Sequence, residues 1–255
     1  MKPIHFVLSL LGTMGAVVPC CPVAVEAQEH PVRASLSALT TSEITAKSLV
    51  DRGNEKSEQG DLDGAIADYK QALKIKPDYA RAYFNLGVTY CELNNSEVAI
   101  TYYTQAIKYA PNDAESYTER GIARVELDDR NGAMADLEQA LKLNPKQTRA
   151  YWGRGQMRQR QQNTLGAVSD FTQSIQLDPA FAPAYFDRGL AYYELGALQE
   201  NGSNYMQKAV ADYTQAIKLD PKFASAYYNR SFARQKLGDK QGALADILKA
   251  QFHRD

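Results

Sequence analysis

Arginine and aspartate recur in this chain in two matched rows. Arg52, Arg120, Arg154, Arg188 and Arg230 are each followed, at a fixed place in the same segment, by Asp68, Asp136, Asp170, Asp212 and Asp246. A row of arginines alone would suit phosphate or nucleic acid, because a guanidinium offers an oxyanion a rigid fork of donors. Here each arginine has an acid of its own, which predicts an ion pair inside each segment. One segment lacks both partners and carries Leu86 and Tyr102 instead. Joint loss is what a partly buried pair requires, since one charge left behind is costly.

Other reactive residues are sparse. Histidine occurs only as His5, His30 and His253. That removes most Ser–His, Cys–His and His–metal arrangements. Beyond the first 27 residues the sole cysteine is Cys91, which can form no internal disulfide. Its position reads as a small packing residue, the alternative being a reactive thiol facing a groove. The recurrent glycines fall inside helical stretches and make no phosphate-binding loop. The carboxylates mostly occupy repeated surface positions, so no glycosidase-like pair stands out. The expectation is therefore no catalytic residues, no metal, no cofactor and no enzyme activity.

The elements that must position these residues follow from a period. Pro77, Pro111, Pro145 and Pro179 are 34 residues apart, and Pro221 follows after 42. Such self-similarity means stacked helical units in place of one globular core. With the proline as position 32, six units result: 46–79, 80–113, 114–147, 148–181, 182–223 and 224–255. Glycine recurs at position 8 (Gly53, Gly87, Gly121, Gly155, Gly189) and alanine at position 20 (Ala65, Ala99, Ala133, Ala167, Ala209, Ala243). Small residues there let two antiparallel helices approach, with aromatics such as Tyr83 and Tyr103 filling the space around them. Gly60-Asp61, Asn94-Asn95, Asp128-Asp129 and Gly238-Asp239 mark the turn, their second residue placed to cap the following helix. The fifth unit carries an insertion around Ala197 to Met206, expected to extend its helices or to loop out at the turn.

In the second unit these residues read Tyr83-x2-Leu86-Gly87-x2-Tyr90, then Ala99-x3-Tyr103, Ala106 and Pro111. This resembles the tetratricopeptide repeat, a helix–turn–helix unit with that spacing. The resemblance covers residues 46–255. It implies an all-α, right-handed superhelical solenoid of six tandem repeats and a non-catalytic scaffold whose first helices line a groove for a protein or peptide partner. Carried onto this chain, the groove residues are Arg81, Phe84, Asn85, Glu115, Glu119, Arg149, Trp152, Phe186, Asp187 and Tyr228. Phe84, Trp152, Phe186 and Tyr228 are the candidate aromatic anchors, with packing against neighbouring repeats as the alternative. The same face carries net −4 in units one to three (Asp51, Glu58, Glu92, Glu115, Glu119 and Glu126 against Lys47 and Arg81) and net +1 in units four to six. A basic segment would suit the first half. The family's carboxylate clamp for chaperone tails is not matched: Lys47 and Asn85 fit, but Asp51, Glu115 and Glu119 would repel a C-terminal carboxylate.

The last unit departs from the pattern. Ser231 replaces the glycine. Positions 28 and 30, apolar elsewhere, become Gln251 and His253, while positions 25 and 29, polar elsewhere, become Leu248 and Phe252. With Leu244 they form an i, i+4, i+8 apolar row. The row is a second candidate interface, for self-association or docking, unless the tail covers it. It supports the alternative reading of a structural oligomer or membrane-associated assembly factor.

Composition sets the remaining bounds. Hydrophobic residues make up 44%, charged residues 23%, and the net charge is −1. These are ordinary for a folded protein and favour neither nucleic acid nor an anionic membrane surface. Residues 1–27 differ in kind: Lys2, an apolar run from Ile4 to Val18, then Val25-Glu26-Ala27. This reads as a signal peptide cleaved before Gln28, placing the protein in the periplasm or otherwise outside the cytoplasm. An uncleaved membrane anchor and lipidation at Cys20 or Cys21 are the alternatives. Residues 28–45 read as a linker.

Overall fold

The computed structural model of the protein describes residues 41–199 and 201–253. Among them lie twelve α-helices and no strand. They are α1 (Thr41–Glu58), α2 (Leu62–Ile75), α3 (Ala80–Glu92), α4 (Ser96–Tyr109), α5 (Ala114–Glu126), α6 (Arg130–Leu143), α7 (Thr148–Arg160), α8 (Thr164–Leu177), α9 (Ala182–Ala197), α10 (Ser203–Leu219), α11 (Ala224–Lys236) and α12 (Lys240–Phe252). The described residues form two compact units that divide inside α7, between Gly153 and Arg154.

In the first unit α1 packs on α2, α3 on α4 and α5 on α6, with α2 also against α3 and α4 against α5. In the second unit α9 packs on α10 and α11 on α12, with α8 against α9 and α10 against α11. The turns explain why the helices come in pairs. Gly60, Asn94, Asp128, Gln162 and Gly238 all have positive φ, which ends the first helix. The next residue then caps the second. Asp61, Asn95, Asp129, Asn163 and Asp239 each accept a hydrogen bond from the backbone N–H three residues on, at 2.8–3.2 Å. The sequence reading named four of these caps and missed Gln162-Asn163, because glutamine rarely adopts that backbone conformation.

The position-8 glycines work by close approach. A Cβ on Gly87 would lie 2.5 Å from the Tyr103 ring, one on Gly155 2.6 Å from Phe171, and one on Gly189 2.7 Å from Tyr213. Each of these three glycines lets an aromatic ring of the second helix lie against the first, whereas Gly121 meets Leu137. In the last pair Ser231 stands at position 8, and the ring is replaced by Ile247.

One expectation changes. The linker assigned to residues 28–45 is too long, since α1 begins at Thr41. Hydroxyls at Thr41 and Ser42 followed by Glu43 favour a helix start, and Ala46, Leu49 and Val50 already sit in the core. Residues 28–40 and the signal-peptide assignment to 1–27 lie outside the described residues. Of the two readings of the insertion in the fifth unit, helix extension is the one found: α9 has 16 residues and α10 has 17, against 13 and 14 in α3 and α4. Gly202 allows the tight return, since a Cβ there would sit 2.7 Å from the Gly196 Cα.

Candidate functional site

The charged rows are built first, because they fix the helices that carry the surface. All five predicted pairs form. Arg52–Asp68 closes to 2.5 Å, Arg120–Asp136 and Arg154–Asp170 to 2.7 Å, Arg188–Asp212 to 2.8 Å and Arg230–Asp246 to 2.6 Å. Each is a two-pronged contact through Nε and Nη2 (for example, Arg120 to Asp136 at 2.8 and 2.7 Å). A second cation, one helical turn on, shares the acid in four of them. These are Lys56, Arg124, Arg158 and Arg234, at 2.7–3.0 Å. The sequence reading missed these residues, although their recurrence at position 11 was visible.

The arginine also ties one pair to the pair before it. Arg120, Arg188 and Arg230 each donate through Nη1 to a threonine of the preceding second helix, Thr104, Thr172 and Thr214, at 3.0–3.1 Å. Where the arginine is replaced by Leu86, the preceding position holds Lys70, whose Nζ lies 3.5 Å from the Tyr90 hydroxyl. A lysine there would repel an arginine, so the two substitutions belong together.

Within each unit the first helices are also joined by polar side chains. In the first unit Asn85 donates to Asn54 at 2.6 Å, and the Tyr69 hydroxyl donates to the same oxygen at 2.9 Å. Arg81 reaches Glu115 at 3.5 Å. Arg149 grips Glu119 through two hydrogen bonds of 2.8 and 3.0 Å. In the second unit Gln156 donates to Asp187 at 3.0 Å. Burial pushes the Glu115 carboxyl above its ordinary range, and the Arg81 guanidinium pulls it back. Burial likewise raises the Tyr69 phenol to about 12.

This geometry redistributes the expected groove residues. Phe84, Trp152 and Phe186 are core residues, Trp152 being only 2% exposed, so they are not anchors for a partner. Arg81 and Arg149 lie over Phe84 and Trp152, at 5.0 and 5.9 Å, and roof them. Asn85, Glu119 and Asp187 are buried links between helices, Glu119 at 2% exposure. The physical reason is spacing: positions 5 and 6 of a helix packed on both sides face its neighbours and not the groove. Arg81, Glu115 and the half-buried Tyr228 remain accessible. The charge sum of −4 therefore overstates the free charge by one, because Glu119 is matched by Arg149, which the sum leaves out. Of the remaining acids, Glu92 accepts from Ser57 at 3.4 Å and Glu126 from Ser96. Cys91 is buried, its Sγ 3.6 Å from the Tyr103 hydroxyl.

Family models agree with this geometry. Models described as TPR repeat or tetratricopeptide repeat match residues 53–94 and 205–238, 86–152, and 158–212. The chain belongs to the tetratricopeptide-repeat family. Among solved structures, this tetratricopeptide chain is similar to PilF of Pseudomonas aeruginosa, at 16% identity and TM-score 0.70 over 82% of this chain and 92% of that one. PilW, described as a widely conserved type IV pilus biogenesis factor, gives 19% and 0.70 over 81% and 92%. YrrB, described as a TPR protein with an unusual peptide-binding site, gives 19% and 0.52 over 72% and 91%. At these identities the likeness is one of fold. A probable UDP-N-acetylglucosamine–peptide N-acetylglucosaminyltransferase, SPINDLY of Hordeum vulgare, is 36% identical over 75 residues. That stretch is 29% of this chain and 8% of the barley protein.

The last tetratricopeptide helix differs from the others. Leu244, Leu248 and Phe252 of α12 are 60%, 59% and 74% exposed, so the apolar row lies open. No helix of the array, among the described residues, is long and apolar enough to cross a membrane.

Proposed function

We propose that this protein is a non-catalytic scaffold outside the cytoplasm that holds an extended segment of a partner protein on the face formed by its first helices. The observation that carries the reading is the polar linkage between successive first helices: Asn54–Asn85, Arg81–Glu115 and Arg149–Glu119 in the first unit, and Gln156–Asp187 in the second. Consecutive first helices are held in register before any partner arrives, which lowers the ordering cost of binding. Tetratricopeptide repeats generally act by positioning proteins, and YrrB, which shares the fold, is described as having a peptide-binding site. The extracytoplasmic location rests on residues 1–27 alone. The accessible residues Asp51, Arg81 and Glu115 of the first unit are the proposed contacts, with Glu58 and Glu126 at the far turn.

Site-specific photo-crosslinking tests the reading. A photoreactive amino acid is placed at Asp51, Arg81 or Glu115 on this face, and at Glu138 or Lys218 on second helices. Expected is one protein adduct shared by the face positions and absent from Glu138 and Lys218. Equal adducts at all five positions, or adducts only at the second helices, would overturn it. A phosphatase reporter active only after export, fused behind residue 45, tests the location independently. An inactive fusion would remove export without touching the binding face.

A further inference from the structure

We propose that α12 is a homodimerisation helix, and that its occupant is the α12 of a second copy of this chain, packed antiparallel about a two-fold axis. In the earlier units the places of Leu248 and Phe252 hold polar residues: Lys70, Thr104, Glu138, Thr172 and Thr214 for the first, Lys74, Lys108, Lys142, Gln176 and Lys218 for the second. The apolar character is thus confined to the last helix. The place of Leu244 is held by Ile66, Ile100, Met134, Val168 and Val210, all buried or half-buried, whereas Leu244 is open.

A cover resembling one more repeat fits poorly. Position 28 lies under the following first helix and is apolar in the five earlier units (Leu73, Ile107, Leu141, Ile175, Ile217) but is Gln251 here. Stacking another repeat would bury that amide. Leu248 occupies the place where threonine accepts from the next unit's arginine, and a leucine offers that arginine no acceptor.

The exposed face is complementary to itself when reversed. Its main row reads Lys240, Leu244, Leu248, Phe252. Run antiparallel against its twin, Lys240 meets Phe252, and Leu244 meets Leu248. Ammonium over an aromatic ring is favourable, and the leucines close the centre. This is the self-complementarity that an isologous interface needs. The only acid of the helix, Asp246, is buried and taken by Arg230 and Arg234, so it brings no free charge to the face. Phe252 is already oriented, edge-on to His253 at 5.2 Å, while His253 stacks on Tyr227 at 5.6 Å.

Sedimentation equilibrium of the full chain at micromolar concentrations tests the proposal, with circular dichroism confirming that each variant is folded. Expected is a monomer–dimer equilibrium that Leu248→Lys abolishes. Phe252→Lys sets two lysines against each other across the axis and weakens the dimer by about tenfold or more. Lys240→Glu combined with Phe252→Lys turns that contact into one of opposite charges and restores the dimer. The two positions lie three turns apart on one helix, so only an antiparallel twin gives this rescue. A monomeric wild type, an open-ended polymer, a dimer that survives Leu248→Lys, or a double variant no tighter than Phe252→Lys would each overturn the proposal.

Discussion

Between α3 and α4 the places of the ion pair are taken by Leu86, Tyr90 and Tyr102, with Leu86 buried and the two rings stacked at 5.3 Å. Between α5 and α6 the same three places hold Arg120, Arg124 and Asp136, joined at 2.7 Å. Both helix pairs form, so the fold does not demand charge at this point. It demands that the three places agree with one another. The fifth pair lies between the two: Arg188 bonds Asp212, but the third place is Tyr192, over which the guanidinium lies at 5.9 Å. Burial outweighs the Arg188 hydrogen bond there and raises the Asp212 carboxyl. With Arg52 and Lys56 beside it, the Asp68 carboxyl is held down at about 2, chiefly by the hydrogen bond from Arg52.

Several measurements would break or sharpen this comparison. The largest effect is expected from Asp136→Ala, which leaves Arg120 and Arg124 facing each other in a partly buried site. It should cost about 3–5 kcal/mol in denaturant unfolding. A loss below 1 kcal/mol would mean the triad contributes no more than a surface pair. Next come the glycines. Gly87→Ala pushes a Cβ against the rigid Tyr103 ring at 2.5 Å, whereas Gly121→Ala meets the Leu137 side chain at 2.8 Å. Both overpack the pair, by about 1–3 kcal/mol, and the change at Gly87 should cost more because a ring cannot bend aside. Equal losses would place the strain in the backbone.

The acid limb of stability gives a smaller signal. Asp68 has a folded pKa of about 2, below its ordinary 3.8. Its contribution is therefore present above pH 3.8 and is lost as pH falls toward 2. Asp68→Asn should flatten the stability profile across that window and leave its shape at neutral pH unchanged. An unaltered acid limb would assign the acid sensitivity to other carboxylates. The smallest net change is expected from the transplant Arg120→Leu, Arg124→Tyr and Asp136→Tyr made together. Replacing a whole buried ionic group by packed apolar residues is commonly neutral or stabilising. If this triple variant lost as much as Asp136→Ala, the two pairs would not be interchangeable solutions.

The sequence by itself determined the periodic part of this protein. The proline interval, position-8 glycines and position-20 alanines specified paired helices. The co-occurrence of Arg52 with Asp68 and its four equivalents, and their joint absence at Leu86 and Tyr102, specified an ion pair that the structure contains. These features were legible because each is local to one unit and repeated in several. The Lys56, Arg124, Arg158 and Arg234 contacts repeat equally well and could have been read the same way. Tertiary structure alone decided which residues face outward. Phe84, Trp152 and Phe186 read as anchors in sequence, because an aromatic residue on an amphipathic helix suits a groove or a core equally. Stacking placed them inside, since each first helix is packed on its own second helix and on neighbouring units. The same stacking converted Glu119 from a surface charge into a buried link to Arg149, at a sequence separation that no periodicity argument reaches.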